Sequence, residues 1–165
     1  MTDTHLRFPL LVFTLLLIMA GCSSKDIPAY HGRQYPASNT VIPVFQAGQV
    51  PVSCRVFSQM LVWLPENSTG KSIAQAIEQE AISRGADVLL IGKSREASDD
   101  EGLLFTYYET AKEENCREQW PGWKFGYDVW SQQGDWVSFG YNEWGNADIQ
   151  FNTPIILQAA FLRCQ

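Results

Sequence analysis

The sequence predicts an α+β domain: a mostly antiparallel sheet with one main helix packed on one face. Three observations predict it. A single stretch, Ser72 to Gly85, repeats its apolar residues with helical period. Short β-branched and apolar runs lie before it, after it and near the C-terminal end. From Trp120 onward the chain is rich in aromatics and glycine and has little helical periodicity.

Each element has its own warrant. Arg55–Leu64 is β-branched and aromatic enough for a strand, and Pro65 stops it. Ser72 is read as the helix start, with Gln75 completing a capping box. Ile73, Ile77 and Ala81 then share one face, joined by Ala74 and Ile82. Gly85 suits the left-handed position just past the helix end. Asp87–Gly92 contains the short buried strand Val88-Leu89-Leu90-Ile91. Arg95–Gly102 reads as a charged loop and Leu103–Tyr108 as a third strand. Phe125-Gly126-Tyr127-Asp128-Val129-Trp130 recurs as Phe139-Gly140-Tyr141-Asn142-Glu143-Trp144, which is read as two neighbouring strands with aromatic cross-strand contacts. Pro154 starts a last strand, Ile155–Arg163.

The 165 residues divide into three parts. Met1–Arg7 is polar and carries positive charge, and Phe8–Met19 is an apolar run broken only by Pro9 and Thr14. A membrane span needs roughly 20 apolar residues, so this shorter run suits the core of a signal peptide over residues 1–21. Residues 22–52 hold Pro28, Pro36, Pro43 and Pro51 among polar residues and glycines. They read as an extended tether, with Val41-Ile42-Pro43-Val44-Phe45 able to dock as an edge strand. Residues 53–165 are long enough for one domain.

Ile18-Met19-Ala20-Gly21-Cys22 resembles a lipobox, with Met19 where the family prefers leucine. The resemblance implies that Cys22 receives a diacylglycerol on its thiol, becomes the first mature residue and is acylated on its amine. Those chains would be the only attached groups, and no other cofactor is expected. At ~0.8 kcal/mol per buried methylene they make a lasting membrane anchor. Ser23, where an aspartate would retain such proteins at the inner membrane, implies transport to the outer membrane, facing the periplasm.

The formal charge is −6, and the basic residues are scattered singly from Lys25 to Arg163. Such a balance repels phosphate backbones, so nucleic acid is not an expected partner. The two histidines are His5 and His31, both outside the domain. Histidine-dependent nucleophilic schemes and the usual zinc sites are therefore not expected within it, and no metal site is assigned. Gly70-Lys71-Ser72 resembles the end of a phosphate loop, but Pro65 stands where that loop needs glycine, and a capping turn explains the same residues. Asp99-Asp100-Glu101-Gly102 lacks calcium-loop spacing and reads as a solvated turn. Asp128, Asp135, Glu143 and Asp148 lie among the aromatics and keep paired-carboxylate chemistry open as an alternative.

Beyond Cys22, the cysteines are Cys54, Cys116 and Cys164. Three thiols allow three pairings. Cys54 opens the first strand and Cys164 closes the last, so Cys54–Cys164 is favoured if those strands are antiparallel neighbours. Cys116 would then be free or intermolecular, its thiol made sluggish by Glu113, Glu114 and Glu118 and partly relieved by Arg117. Trp120, Trp123, Trp130, Trp136 and Trp144 form the candidate recognition surface, with a share of them expected in the core.

The Cys-led strand, the helix ending Ala81-Ile82-Ser83-Arg84-Gly85-Ala86-Asp87 and the apolar strand after it resemble the outer-membrane stress-sensing lipoproteins of the Rcs envelope relay. The resemblance covers residues 54–95. It implies a non-enzymatic role in binding an envelope protein or cell-wall partner. Those sensors carry two disulfides, which three cysteines cannot supply, and the tryptophan-rich half has no counterpart among them. The alternative expectation is a glycan-binding or glycan-cleaving envelope protein that uses the tryptophans and carboxylates.

Overall fold

The computed structural model describes residues 30–110 and 112–165. Cys22 and the signal segment lie outside the described residues. The chain forms an α+β fold with one main helix and a mostly antiparallel sheet. Its strands are β1 (Ile42–Val44), β2 (Cys54–Leu64), β3 (Ser68–Thr69), β4 (Val88–Glu96), β5 (Leu104–Tyr108), β6 (Glu114–Asn115), β7 (Trp136–Val137), β8 (Gln150–Phe151) and β9 (Ile155–Cys164). The main helix is α1 (Gly70–Ser83), and α2 (Tyr127–Trp130) is a single turn. The sheet runs β1-β4-β9-β2-β5, with β6 also on β2 and β7 also on β4. Only the β1–β4 pairing in it is parallel. A separate small ladder joins β3 to β8.

Strands β2, β9 and β4 form the buried centre, and their side chains divide between two faces. On one face Ile73, Ile77 and Ala81 of α1 meet Met60, Val62, Leu89, Ile91, Leu157 and Phe161. This is the apolar stripe that the helical period places together. The other face carries Leu61, Leu90, Ile156, Ala160 and Leu162, covered by Trp120, Trp123, Phe125 and Trp130.

The termini of α1 show why it begins and ends where it does. Its N-cap is Thr69, whose hydroxyl accepts from the Ser72 amide at 3.1 Å, while the Thr69 amide donates to Ser72 Oγ at 2.9 Å. The capping box is thus Thr69 with Ser72, three residues ahead of the Ser72–Gln75 pattern expected from sequence. The reason is tertiary: β3 pairs with β8, and the Gly70 and Lys71 amides donate to the Ile149 and Asn146 carbonyls. At the far end the Gly85 amide donates to Ile82 and the Ala86 amide to Ala81, a Schellman closure with Gly85 at φ +79°. A β-carbon on Gly85 would also strike Tyr35 and the Pro36 carbonyl, so the same glycine lets the N-terminal segment pass close by.

Residues 30–52, the described part of the stretch expected as an extended tether, do not stand off the domain. Val44 and Val50 are buried, and β1 docks on the edge of β4 as the Val41–Phe45 pattern suggested. Ser38 bonds to the carbonyls of Ile82 and Ala86, and Tyr35 packs on Phe57 and donates its hydroxyl to Glu113. The proline spacing gave the extended backbone, but the apolar residues between the prolines had a surface to cover. Tyr30 lies beside Tyr107, with the Arg84 guanidinium 4.5 Å from its ring. Burial, together with the hydrogen bond it donates to Glu80, raises the pKa of Tyr107 well above that of an ordinary phenol.

Two further sequence expectations are corrected. β4 runs on to Glu96, into the stretch read as a loop, because β9 pairs with Ser94, Arg95 and Glu96 on one edge and β7 with Ser94 and Arg95 on the other. The two aromatic repeats are not strands. Each is one helical turn, closed by a hydrogen bond from the tryptophan amide to the glycine carbonyl: Trp130 to Gly126 at 2.8 Å and Trp144 to Gly140 at 2.9 Å. Both leading phenylalanines, Phe125 and Phe139, are buried, on opposite faces of the sheet. The repeat is therefore an anchor-and-turn unit used twice.

Candidate functional site

The pairing of β4 leaves a gap at one edge. Val88–Leu90 pair with β1 and Ser94–Arg95 with β7, while Gly92 and Lys93 pair with neither. On the other edge, β4 slips register against β9 between Ile91 and Ser94. Such a bulge bends the strand and re-aims its side chains, and bulges recur beside binding sites. Here it brings the exposed Lys93 ammonium to 5.2 Å from the Trp136 ring. Gly92 is required on packing grounds, since a β-carbon there would lie 2.9 Å from the Trp123 ring and 2.8 Å from Gln158 Cβ.

Trp136 is 61% exposed and stands between two open depressions. One, of about 450 Å³, is lined by Gly92–Ser94 and Trp136–Phe139. The other, of about 310 Å³, is lined by Lys93, Arg95, Trp123, Tyr127, Trp130 and Trp136, with Ser131 and Gln158. No carboxylate lines either depression. Arg95 fixes the shape of the second one. Its Nε donates to the Gly134 carbonyl at 2.8 Å and its Nη1 to the Trp130 carbonyl at 3.0 Å, which ties the 130–136 turn to the sheet. Its guanidinium also lies 5.1 Å from the Trp136 ring, so Trp136 has two cations beside it. Tyr127, 66% exposed, forms part of the rim.

The five tryptophans proposed as one recognition surface have three different roles. Trp130 is buried at 5% exposure, and Trp120 and Trp123 are half-buried beside it, with Trp120 Nε1 donating to Gln59 at 3.0 Å. Trp144 belongs to the opposite face of the sheet, where it packs on Phe139 and donates to Glu78 of α1 at 3.0 Å. Trp136 alone of the five is exposed. Sequence did not identify Lys93, Arg95 or Tyr127 as neighbours of Trp136. The available signal was Gly92-Lys93, a glycine inside a strand pattern, which marks a bulge or a close approach.

No protein-family model, curated protein or solved structure matches this chain.

Cys54 and Cys164 face each other at the end of the β2–β9 ladder and form a disulfide. Cys116 is a free, buried thiol. Its pKa is raised mainly by burial, with Arg117 opposing, rather than by the neighbouring glutamates. The amides that a phosphate loop would offer are already partnered: Gly70 with Ile149, Lys71 with Asn146 and Ser72 with Thr69. Asp100 accepts from the Gly102 amide at 3.0 Å, as a turn does. Of the four acids among the aromatics, Glu143 bonds to the Gly140 amide of its own turn at 2.7 Å. Asp128, Asp135 and Asp148 are exposed and lie outside the two depressions. Among the described residues no cluster of three or more His, Cys, Asp or Glu side chains is arranged to hold a metal.

Proposed function

We propose that this chain is an exported, membrane-anchored lipoprotein whose domain binds an envelope partner without catalysis, through the surface around Trp136. The lipobox-like run before Cys22 supports the anchor. The Cys54–Cys164 disulfide is in keeping with an oxidising compartment. One observation carries the binding role: an exposed tryptophan with two cations beside it and an open depression on either side. Large exposed aromatics next to arginine are the residues on which binding energy concentrates at interfaces. The absence of carboxylates from both linings gives paired-acid chemistry no foothold there.

A second reading is favoured by Tyr127 and Trp136 together. Two exposed rings on one depression can take the flat face of a sugar, and Lys93 beside them complements a negative charge, so a cell-wall glycan bearing carboxylates suits the surface.

Two experiments test the proposal. Mass analysis of the mature N-terminal peptide should find Cys22 with a thioether-linked diacylglycerol and an acylated amine; an unmodified thiol or a retained leader would refute the anchor. Titration of tryptophan fluorescence with solubilised cell-wall glycan should give a saturable change that Trp136→Ala abolishes and Tyr141→Ala preserves. If glycan produces no change, the protein-partner reading stands in its place.

A further inference from the structure

The fold gathers three cysteines around β2: Cys54 on β2 itself, Cys164 on β9, and Cys116 directly after β6. β2 lies between β9 on one edge and β6 on the other. Cys54 is in register with Cys164 on β9. On the other edge Arg55 is in register with Asn115 and Val56 with Glu114; that register carried one residue past the end of β6 puts Cys116, the first residue of the following turn, beside Cys54. The Asn115 side chain, donating to the Val52 carbonyl at 3.2 Å, extends the contact past that position. Cys54 and Cys116 are both buried in one apolar cluster with Val56 and Leu162, and Cys164 packs against it. Facing residues on antiparallel neighbours have α-carbons about 4.5–5.5 Å apart, inside the span that a disulfide bridges.

We infer that Cys54, Cys116 and Cys164 form an intramolecular thiol–disulfide exchange site, in which Cys54 bridges either neighbour. The Cys116 thiol gives up its proton, and its sulfur attacks Cys54 Sγ. The Cys54–Cys116 bond forms as the Cys54–Cys164 bond breaks, and the electron pair leaves on Cys164 Sγ, which takes up a proton. One disulfide and one thiol stand on each side, so no outside oxidant is needed. The strand order supports the step: attacking and leaving sulfurs approach Cys54 from opposite edges of β2. Burial raises the Cys116 thiol and so slows the exchange, leaving Cys54–Cys164 as the resting pair. Exchange moves the free thiol from buried Cys116 to half-buried Cys164, where a second thiol can reach it. Cys116 and Cys164 are two strands apart, roughly 9–10 Å at ordinary strand spacing, so they are not a native pair.

The test uses the full-length chain, oxidised glutathione, acid quenching, alkylation and peptide mapping. Cys164→Ser should form the Cys54–Cys116 bridge in at least about ten-fold higher yield than Cys54→Ser forms Cys116–Cys164, because only the first pair meets the geometric limit. An unfolded chain would favour the second, whose loop is shorter. Equal yields, the reverse order or no bridge in Cys164→Ser would overturn the inference. A companion measurement needs no variant that loses the resting bridge. Wild-type chain held for hours without oxidant should acquire a fraction with Cys54–Cys116 bridged and Cys164 alkylated, and Cys116→Ser should lack the alkylated Cys164. Absence of that fraction from the wild type would likewise overturn it.

Discussion

The two faces of the central sheet are covered by different means. On one, a fourteen-residue helix satisfies its own backbone and lays a regular apolar stripe on β2, β4 and β9. On the other, the cover is an irregular run of rings and turns, in which Trp120, Trp123 and Phe125 follow one another at centroid distances of 4.9 and 5.9 Å. A layer without regular structure must find partners for its backbone groups elsewhere. Here long side chains supply them, Arg95 to Gly134 and Trp130 and Gln158 to Trp123, while Arg117 ties Gly48 and Val50 of the N-terminal segment to the same face. The helix covers the centre of its face. The ring layer leaves depressions where its turns meet the bulged edge of β4, and those depressions flank the exposed tryptophan.

Truncation on the helix face should have the largest effect on stability. Phe161 is fully buried there, and Phe161→Ala should cost about 3–5 kcal/mol in urea unfolding. A loss below about 1 kcal/mol would mean that this face is not the principal core. On the opposite face, Arg95→Met should cost about 1.5–3 kcal/mol, since two carbonyls lose a charged donor. Hydrogen exchange should then speed up in residues 130–136 and stay unchanged in α1. Equal acceleration in both would dissolve the distinction between a self-sufficient cover and a stapled one. Thr69→Ala removes the helix cap and should cost about 1 kcal/mol, read as a small drop in thermal midpoint. The smallest change is expected from Trp136→Ala, within about 0.5 kcal/mol of wild type, because its ring is mostly in solvent. A larger loss would place Trp136 with the packing tryptophans.

The same contrast explains what sequence could reveal. The helix face was legible because Ile73, Ile77 and Ala81 recur at the helical interval and Gly85 marks the end. The β2–β9 pairing was legible as a condition, through Cys54 and Cys164 at opposite ends of two strand-like runs. The ring layer has no period to read. Phe-Gly-Tyr repeats resemble strand punctuation, yet Gly126 adopts φ +58° and each repeat closes a turn, a choice made by where Phe125 and Phe139 can be buried. The start of α1 was misplaced because β8, far along the chain, positions Thr69 and Gly70. Of the site, Trp136 is distinguished in the sequence only as one of the five tryptophans from Trp120 onward. Lys93 and Arg95 became its neighbours through a bulge and a two-residue pairing with β7, which depend on contacts distant in sequence.

The most direct test is photo-crosslinking in intact cells, with a photoreactive residue in place of Trp136 or, separately, of Tyr141, which is more exposed still and lies on another turn. The account predicts a high-mass adduct from position 136 and none from position 141, muramidase sensitivity marking a glycan and protease sensitivity a protein. No adduct at position 136, or the same adduct at both positions, would contradict it.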